Sequence, residues 1–286
     1  MSLPVQAFFD PATNTVSYLV HDPVSRAAAV IDPVLDFTPR NARLLTHSAD
    51  ALLDAVKAQG LTLRYVLETH AHADHLSAAH YIREKTGAPV VIGARITQVQ
   101  ATFAPLFGAS DVTPDGSAFD ILMAEGDELP LGTLTIRALH TPGHTPACLT
   151  YLIEDAAFVG DTLFMPDYGT ARADFPGGDA RTLYRSIQRI LALPDETRIF
   201  VGHDYLPQGR ATPAWETTAA DQRRANIHVG DNIGEEAFVA MREARDKTLE
   251  APLLILPSLQ VNIRAGQLPP HAPGQPVYLR LPLNTI

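Results

Sequence analysis

Side chains that can bind a metal are concentrated in the segment Thr69–His75, which reads THAHADH. The apolar run 65–68 before it predicts a strand, and side chains two apart in an extended chain face the same way. We therefore expect His70 and His72 to reach one point, and Asp74 and His75 to turn toward a second point as a helix begins. An alternative role for Asp74 is the N-cap of that helix. Histidine and aspartate at this density favour a metal site.

Three further residues of ligand type each follow an apolar run that predicts a strand. They are His144 after 134–139, Asp161 after 157–159 and His203 after 198–201. Asp161 and His203 come directly after a glycine, which lets the backbone approach other groups closely. Because loops at one edge of a sheet scaffold are where sites are commonly built, we expect these residues to meet the first cluster there.

Short strands and helices alternate along the chain and would position these residues. Asp-Pro pairs favour turns between the first strands. The predicted strands are 5–9, 16–20, 27–31, 61–68, 89–92, 134–139, 148–153, 157–159 and 198–201. The predicted helices are 39–59, 76–85, 179–193, 217–226 and 235–247. Residues 103–127 are expected to form a surface excursion around one or two short strands. The Pro-rich end from Leu268 is expected to wrap over the domain or over a partner subunit.

Composition narrows the class of protein. The 286 residues are 46% hydrophobic, enough for one large domain with a real core. No apolar run approaches the roughly 18 to 20 residues of a membrane helix, and the N-terminus lacks a signal-like pattern, so a cytoplasmic protein without membrane contact is expected. Cys148 is the only cysteine, which leaves histidines and carboxylates to hold any metal. We interpret Cys148 itself as a core residue.

The charge distribution indicates the kind of partner. The formal net charge of −10 argues against nucleic acid, whose binding depends on clustered lysine and arginine. Residues 163–230 nevertheless hold eight basic residues, all of them arginine, against eight acidic ones. Arginine binds carboxylates through two parallel hydrogen bonds, so this segment could serve a small anionic ligand. Exposed helix faces are the alternative place for these arginines.

The ligand pattern resembles that of the metallo-β-lactamase superfamily over about residues 5–205. The motif His70-x-His72-x-Asp74-His75, followed by His144, Asp161 and His203, matches all seven ligand positions of that superfamily. The resemblance implies an α/β fold, the αββα sandwich, with the metal site at one edge of its two sheets. It leaves the reaction open, because this fold carries hydrolases, nucleases and oxidoreductases. We expect one domain over 1–286, with a helical and Pro-rich C-terminal extension at about 206–286.

Several shorter blocks resemble the persulfide dioxygenases within that superfamily. These are IDPV at 31–34, THAHADH at 69–75, TPGHTP at 141–146, GDTL at 160–163, RADF at 172–175 and HDY at 203–205. The resemblance implies that the chain oxidises glutathione persulfide with O2 and water to sulfite and glutathione, using one non-haem Fe(II). It implies that His70, His144 and Asp161 hold the iron. The remaining four ligand-type residues would then surround the centre or carry protons: His72, Asp74, His75 and His203.

Glutathione has two carboxylates, so its pocket should contain arginine. Arg172 is the candidate that the resemblance implies, with Tyr205 and Tyr168 as further substrate-binding residues. Arg223 and Arg224 are weaker candidates that we favour as a helix-surface pair. The resemblance also implies a homodimer, and the Pro-rich end offers an extended strip to a second copy.

The main alternative resembles glyoxalase II, a hydrolase of glutathione thioesters. In that class two zinc ions use all seven ligand positions, and a bridging hydroxide attacks the thioester carbonyl. No ligand is missing from this chain, so the residues alone leave both reactions open. The RADF block and the small number of basic residues after 230 favour the dioxygenase. A metal-containing sensor without turnover is a third, weaker alternative.

Overall fold

The computed structural model describes residues 2–285. The strands of this part of the chain are β1 (Val5–Asp10), β2 (Thr15–His21), β3 (Ala27–Ile31), β4 (Val34–Thr38), β5 (Arg43–Leu45), β6 (Thr62–Leu67), β7 (Leu76–Ser77), β8 (Val90–Gly93), β9 (Ile121–Met123), β10 (Glu128–Leu131), β11 (Leu134–His140), β12 (Leu149–Ile153), β13 (Ala156–Phe158), β14 (Arg198–Phe200) and β15 (Glu216–Thr218). The helices are α1 (His47–Ala58), α2 (Ala79–Thr86), α3 (Ile96–Leu106), α4 (Ala180–Leu191), α5 (Ala219–Ala225), α6 (Glu235–Asp246) and α7 (Ile255–Asn262).

Two six-stranded sheets form the centre of the molecule. The first has the order β1-β2-β3-β6-β8-β9 and the second the order β10-β11-β12-β13-β14-β15. Strands β3, β6, β8 and β9 run parallel to one another, as β13 does to β14. A small three-stranded sheet, β5-β4-β7, lies beside the first. Parallel neighbours bring their carboxyl ends to one edge, which is where the ligand-type residues follow.

Three apolar layers hold these elements together. The layer between the sheets contains side chains from both of them, among which Tyr18, Tyr151 and Phe158 are fully buried. The first sheet is covered on its other face by α1, α2, α3 and α7, and the second sheet by α4 and α6. Helix, sheet, sheet, helix is the αββα sandwich, so the predicted fold class is confirmed.

Two predicted helices are shorter in the structure because their first residues pair as strands. In 39–59, residues Arg43–Leu45 form β5, and the helix begins at His47. In 76–85, residues Leu76–Ser77 form β7 against β4, and the helix begins at Ala79 with Ala78 at its N-cap. The alternative role of Asp74 as an N-cap is therefore wrong, because Asp74 lies four positions before that cap.

Two helices were not predicted at all. Helix α3 lies partly in the region interpreted as irregular, and α7 precedes the Pro-rich end. Both contain an internal proline or β-branched residues, which weaken the local helical pattern. Their apolar residues are buried in the core of the first sheet, so tertiary packing supplies the stability that local propensity lacks.

The Pro-rich end lies on its own chain. Gln260 of α7 donates from Nε2 to the carbonyl of Arg280 at 2.9 Å and accepts its N–H at 2.8 Å. The Arg280 guanidinium donates to the carbonyls of Phe107 and Gly108 just after α3, at 3.1 and 2.7 Å. Of the two predicted courses for this segment, the structure places it over the domain.

Between residues 2 and 285, none of the helices combines the length and the apolar character that crossing a bilayer would require.

Candidate metal centre

Four strand ends deliver the ligand-type residues to one place. The metal loop, Thr69–His75, follows β6, while His144, Asp161 and His203 follow β11, β13 and β14. Two glycines make the approach possible. A Cβ on Gly160 would lie 2.5 Å from the Thr69 hydroxyl, and one on Gly202 would lie 2.8 Å from Asp161 Oδ1. Only a residue without a side chain fits at these positions.

His70, His144 and Asp161 converge on one point. Asp161 Oδ2 lies 3.8 Å from His70 Nε2 and 3.7 Å from His144 Nε2. All three ligand atoms lie within 4.8 Å of one another, and the three residues are buried. Spacings of this size suit donors that share one ion with bonds of about 2.0–2.2 Å. The convergence predicted for these three residues is present in the structure.

A second group lies on the other side of Asp161. His203 Nε2 is 3.2 Å from Asp161 Oδ1 and 3.2 Å from Asp74 Oδ2. His75 and Asp74 also form a possible ligand group with His72. Asp161 thus turns one oxygen to each group, which is the arrangement of a carboxylate able to bridge two ions.

The expectation that His70 and His72 reach one point is wrong. Their rings are 4.0 Å apart, but His70 groups with His144 and Asp161, whereas His72 groups with other partners. The chain leaves the extended conformation after Leu67, so the rule that alternate side chains share a face no longer applies at His70.

His72 faces two buried carboxylates, Asp32 and Glu68, for which no role was predicted. Its Nε2 lies 3.0 Å from Asp32 Oδ1 and 3.4 Å from Glu68 Oε2. Asp32 also accepts the Thr69 N–H at 2.7 Å and the Thr69 hydroxyl at 2.8 Å. A carboxylate behind a histidine fixes its orientation and its proton. The signal for Asp32 was its place in the IDPV block; the sequence held no comparable signal for Glu68.

Hydrogen bonds to Nδ1 leave Nε2 of four histidines free to bind metal. His144 Nδ1 donates to the carbonyl of Arg172 at 2.8 Å, and His75 Nδ1 to that of Leu76 at 3.1 Å. His70 Nδ1 lies 3.0 Å from the Thr69 hydroxyl, and His203 Nδ1 lies 3.4 Å from that of Thr15. A proton held on one ring nitrogen presents the lone pair of the other.

The electrostatics of the site keep His70 and His75 neutral but favour the protonated form of His72. Burial lowers the pKa of His70 well below its usual range and the pKa of His75 to about 3. Burial acts in the same direction on His72, but the carboxylates of Asp32 and Glu68 outweigh it and raise the pKa of His72 well above its usual range. Burial raises the pKa of Asp161, and the neighbouring histidines offset only part of that rise.

Several buried polar atoms at this place have no hydrogen-bond partner among residues 2–285, and their number shows whether a metal fits here. In the described part of the chain, such atoms include one or both ring nitrogens of four histidines and an oxygen of two aspartates: His70, His72, His75, His203, Asp74 and Asp161. Leaving a buried polar group unpaired costs about 1–3 kcal/mol each, so this concentration would be strongly destabilising without an ion. The residues present fit one metal at His70, His144 and Asp161, with room for a second beside them.

The metal centre opens into a cavity of about 470 Å³, whose lining includes Asp74, His144 and Asp161. Apolar residues dominate the rest of its wall, and they come from β4, from the RADF block and from the segment after α6: Phe37, Phe175, Leu249, Leu253 and Leu254. A cavity of this size and character suits a small organic substrate.

Arg172, Arg242 and Arg245 also line the cavity, and they differ in their partners. Arg172 donates to Asp174 through two bonds of 2.6 and 2.8 Å, and also to the carbonyl of Glu250. Arg242 is fully buried and donates to Asp246. Arg245 is exposed, and no carboxylate of residues 2–285 forms an ion pair with it. Sequence reasoning missed Arg242 and Arg245, which lie on a helix that no local pattern connects to the site.

The two predicted tyrosines form an aromatic wall of the cavity. The rings of Tyr168 and Tyr205 are 5.1 Å apart, and both pack on Phe164. Tyr205 also stacks on His203 at 5.4 Å. Burial raises the pKa of Tyr205 well above its usual range, so its hydroxyl keeps its proton.

The remaining candidates lie outside the site. Arg223 bonds to Asp195 and Arg224 to Asp221, and neither lines the cavity, which agrees with a helix-surface pair. Cys148 is buried beside Thr145, and burial raises the pKa of its thiol to about 12, so it is a core residue and not a nucleophile.

Comparison with known families agrees with the fold. The chain matches the sequence model of the metallo-beta-lactamase superfamily over residues 10–203. This protein belongs to the metallo-beta-lactamase superfamily.

The relatives of this chain are described as different kinds of protein. The chain is 53% identical to a probable metallo-hydrolase of Burkholderia pseudomallei, covering 99% of this chain and 100% of that protein. It is 44% identical to Glyoxylase B2 of Dictyostelium discoideum, covering 98% and 97%. It is 33% identical to the mitochondrial persulfide dioxygenase ETHE1 of Homo sapiens, covering 70% and 68%. It spans 65% of the beta-lactamase hydrolase-like protein of Agrobacterium fabrum, at 53% identity.

Among solved structures, ETHE1 from Myxococcus xanthus is similar to this chain with a TM-score of 0.74 and 33% identity. That similarity covers 93% of this chain and 100% of that one.

Proposed function

We propose that this chain is a persulfide dioxygenase that oxidises glutathione persulfide with O2 and water to sulfite and glutathione. One Fe(II) per chain would be held by His70, His144 and Asp161. The observation that carries the proposal is the convergence of these two imidazoles and one carboxylate at the end of a cavity. Two histidines and one carboxylate on one face of a metal are typical of Fe(II) oxygenases, because neighbouring positions stay open. The relationship to human ETHE1 supports the same reaction.

The chemistry balances without a further reductant, because the outer sulfur of the persulfide gives up as many electrons as one O2 accepts. A bound Fe(II) would supply open positions at which the persulfide sulfur and O2 become neighbours. The chain contributes the orientation of the ligands. His144 is held by the carbonyl of Arg172 and by contact with the ring of Phe175, whose centroid lies 5.5 Å away.

Protons released as water adds to the sulfur need acceptors beside the centre. His203 Nε2 and Asp74 Oδ2 are buried atoms at this place and lie 3.2 Å apart, and Asp161 Oδ1 lies 3.2 Å from the same nitrogen. The aromatic wall of Phe164, Tyr168 and Tyr205 borders the same place and limits the access of bulk water. We assign to His203 and Asp74 the role of holding and moving these protons.

The substrate carboxylates would meet the arginines of the cavity. Arg172 keeps some of its N–H groups free beside Asp174, while Arg245 is the arginine of the cavity whose charge is not already neutralised by an ion pair. We therefore propose Arg245 in addition to Arg172, with Tyr168 and Tyr205 as the wall that packs against the substrate.

A glutathione thioester hydrolase is the second candidate. The observation that favours it is Asp161, whose two oxygens face two ligand groups and could bridge two zinc ions. The relationship to Glyoxylase B2 is compatible with this reaction.

Metal analysis combined with two activity assays tests the proposal. The protein should be produced with supplemented iron and handled anaerobically, because Zn²⁺ outranks Fe²⁺ in intrinsic affinity for such ligands. We expect one iron per chain and O2 uptake on addition of glutathione persulfide. Two zinc ions per chain with cleavage of a glutathione thioester and no O2 uptake would establish the hydrolase instead.

Substitutions separate the two readings further. His144→Ala removes one of three iron ligands, so we expect iron and activity to be largely lost. His203→Ala should retain most of the iron while the rate falls, because losses of about 10- to 100-fold are typical for groups around a metal centre. His140→Ala is the control, since His140 bonds to the carbonyl of Pro146 and belongs to no ligand group. A two-metal content that halves in His203→Ala would refute the dioxygenase proposal.

A further inference from the structure

The metal loop holds its ligands on irregular backbone. Between the end of β6 at Leu67 and the start of β7 at Leu76, the loop makes neither strand nor helix. His72 and His75 are nevertheless buried at 1% and 0% exposure, and their carbonyl groups are buried with them. Buried carbonyls outside regular structure need a hydrogen-bond donor from elsewhere in the fold.

Asn262 supplies that donor. Its Nδ2 donates to the carbonyl of His72 at 2.8 Å and to that of His75 at 2.8 Å. Its Oδ1 accepts the N–H of Ser77 at 2.8 Å. The orientation of the amide is fixed, since the reversed orientation would set oxygen against two carbonyls and N–H against N–H. One side chain therefore bonds to the backbone at two points within the metal loop and at one point just after it.

The helix that carries Asn262 is itself firmly held. Asn262 is the last residue of α7 and is 3% exposed. Its neighbours Val261 and Ile263 are fully buried in the core of the first sheet, and Gln100 of α3 donates to the carbonyl of Ile263 at 3.0 Å. A side chain can hold the geometry of a site to within about 0.5 Å only when the element that carries it is itself rigid.

We propose that Asn262 is a positioning residue of the metal centre, which sets the backbone of the metal loop from the C-terminal part of the chain. The carbonyls of His72 and His75 bracket Asp74, so fixing them sets where Asp74 faces His203 and where the ring of His75 lies. This role holds for either metal and either reaction, because it concerns the loop and not the substrate.

Through Asn262 the C-terminal segment takes part in the site. The superfamily match ends at residue 203, and Asn262 lies 59 residues beyond it. The C-terminal segment thus supplies the wall of the cavity through α6 and also a support of the metal loop through α7.

Gln260 offers a matched control on the same helix. It is 2% exposed, and its side-chain amide also makes three hydrogen bonds, two with Arg280 and one with the carbonyl of Leu256. None of these bonds reaches the metal loop. Asn262→Leu and Gln260→Leu therefore each remove a buried amide with the same number of bonds, and only the first changes the support of the loop.

The experiment titrates Co²⁺ into metal-free protein and records the visible absorption band and the melting temperature of each variant. We expect both variants to melt at lower temperature than the parent protein. Only Asn262→Leu should weaken Co²⁺ binding, by about 10- to 100-fold, and shift the absorption band. Equal Co²⁺ affinity and an unchanged band in both variants would overturn the proposal, as would equal weakening in both. If Asn262→Leu does not fold, Asn262→Ser takes its place in the comparison with Gln260→Leu. The serine side chain is too short to reach the loop carbonyls but leaves room for water.

Discussion

Replacing Asp32 by asparagine should disturb metal binding through a change in hydrogen-bond direction. A carboxylate only accepts, so the Thr69 hydroxyl donates to Asp32 Oδ2 and turns its lone pair to His70 Nδ1, 3.0 Å away. The proton of His70 is thereby held on Nδ1, and Nε2 is left for the metal. In Asp32→Asn, the oxygen must still accept the Thr69 N–H, so the new amide nitrogen faces the Thr69 hydroxyl and donates to it.

This reversed hydrogen bond affects Nε2 of His70, the nitrogen that would bind the metal. The Thr69 hydroxyl now donates toward His70 Nδ1, which favours the tautomer with its proton on Nε2. Binding a metal there requires moving that proton back and leaves one buried donor unmatched, at a cost of about 1–3 kcal/mol. That corresponds to about 5- to 150-fold in affinity, which overlaps the range typical of groups behind metal ligands. Asparagine tolerates the positive φ of 48° at this position, so backbone strain adds little.

Isothermal titration of metal-free protein with Co²⁺ or Fe²⁺ measures the effect. Asp36→Asn is the control, because Asp36 likewise accepts one N–H and one hydroxyl, both from Ser48, and belongs to no ligand group. We expect the control to bind metal normally. Metal affinity that is unchanged in Asp32→Asn would show that the hydrogen-bond chain through Thr69 does not set the tautomer of His70.

Three further outcomes are expected. Arg172→Ala and Arg245→Gln should each raise KM for glutathione persulfide by about fivefold or less, with the iron content unchanged. The effect is small because Arg172 is already paired with Asp174 and Arg245 is exposed. A KM that does not change in a variant would show that its arginine does not bind the substrate. Burial lowers the pKa of His228 to about 4 in the folded protein. As the pH falls below about 6.5, His228 therefore binds a proton in the unfolded chain but stays neutral in the folded one, and the free energy of unfolding decreases. His228→Asn, which keeps an acceptor for the Thr170 N–H, should flatten this loss in urea unfolding measured near pH 7 and pH 5, and an identical slope would contradict it. We also propose a homodimer, which light scattering at several concentrations would refute by detecting only a 30.9 kDa species.

The meeting of the ligand-type residues could be predicted because their signals are local. Each follows an apolar strand, and strand ends at one edge of a sheet converge whatever the rest of the fold does. The partition of the histidines could not be predicted, because it depends on where the chain after Leu67 stops being extended. His70 and His72 therefore belong to different groups although they are two residues apart.

The supports of the site were harder to predict than the site. Glu68 lies four residues before His72 but belongs to no recognisable motif, and Arg245 lies on a helix that no local pattern connects to the site. Asn262 acts across 187 and 190 residues of sequence. Helix α7 carries β-branched residues and a proline, so only its burial in the core explains why it is a helix. Such residues become visible only when the tertiary contacts are known.

The position of α7 also dictates when the metal site can be completed during protein synthesis. A ribosome delivers the chain from its N-terminus, so residues 70–75 emerge long before Asn262, which holds their backbone. Until α7 arrives, the core of the first sheet lacks one of its covering helices. The support that α7 gives to the metal loop is therefore a late event, and translation that stalls before residue 255 would leave nascent chains in which the carbonyls of His72 and His75 lack the Asn262 amide.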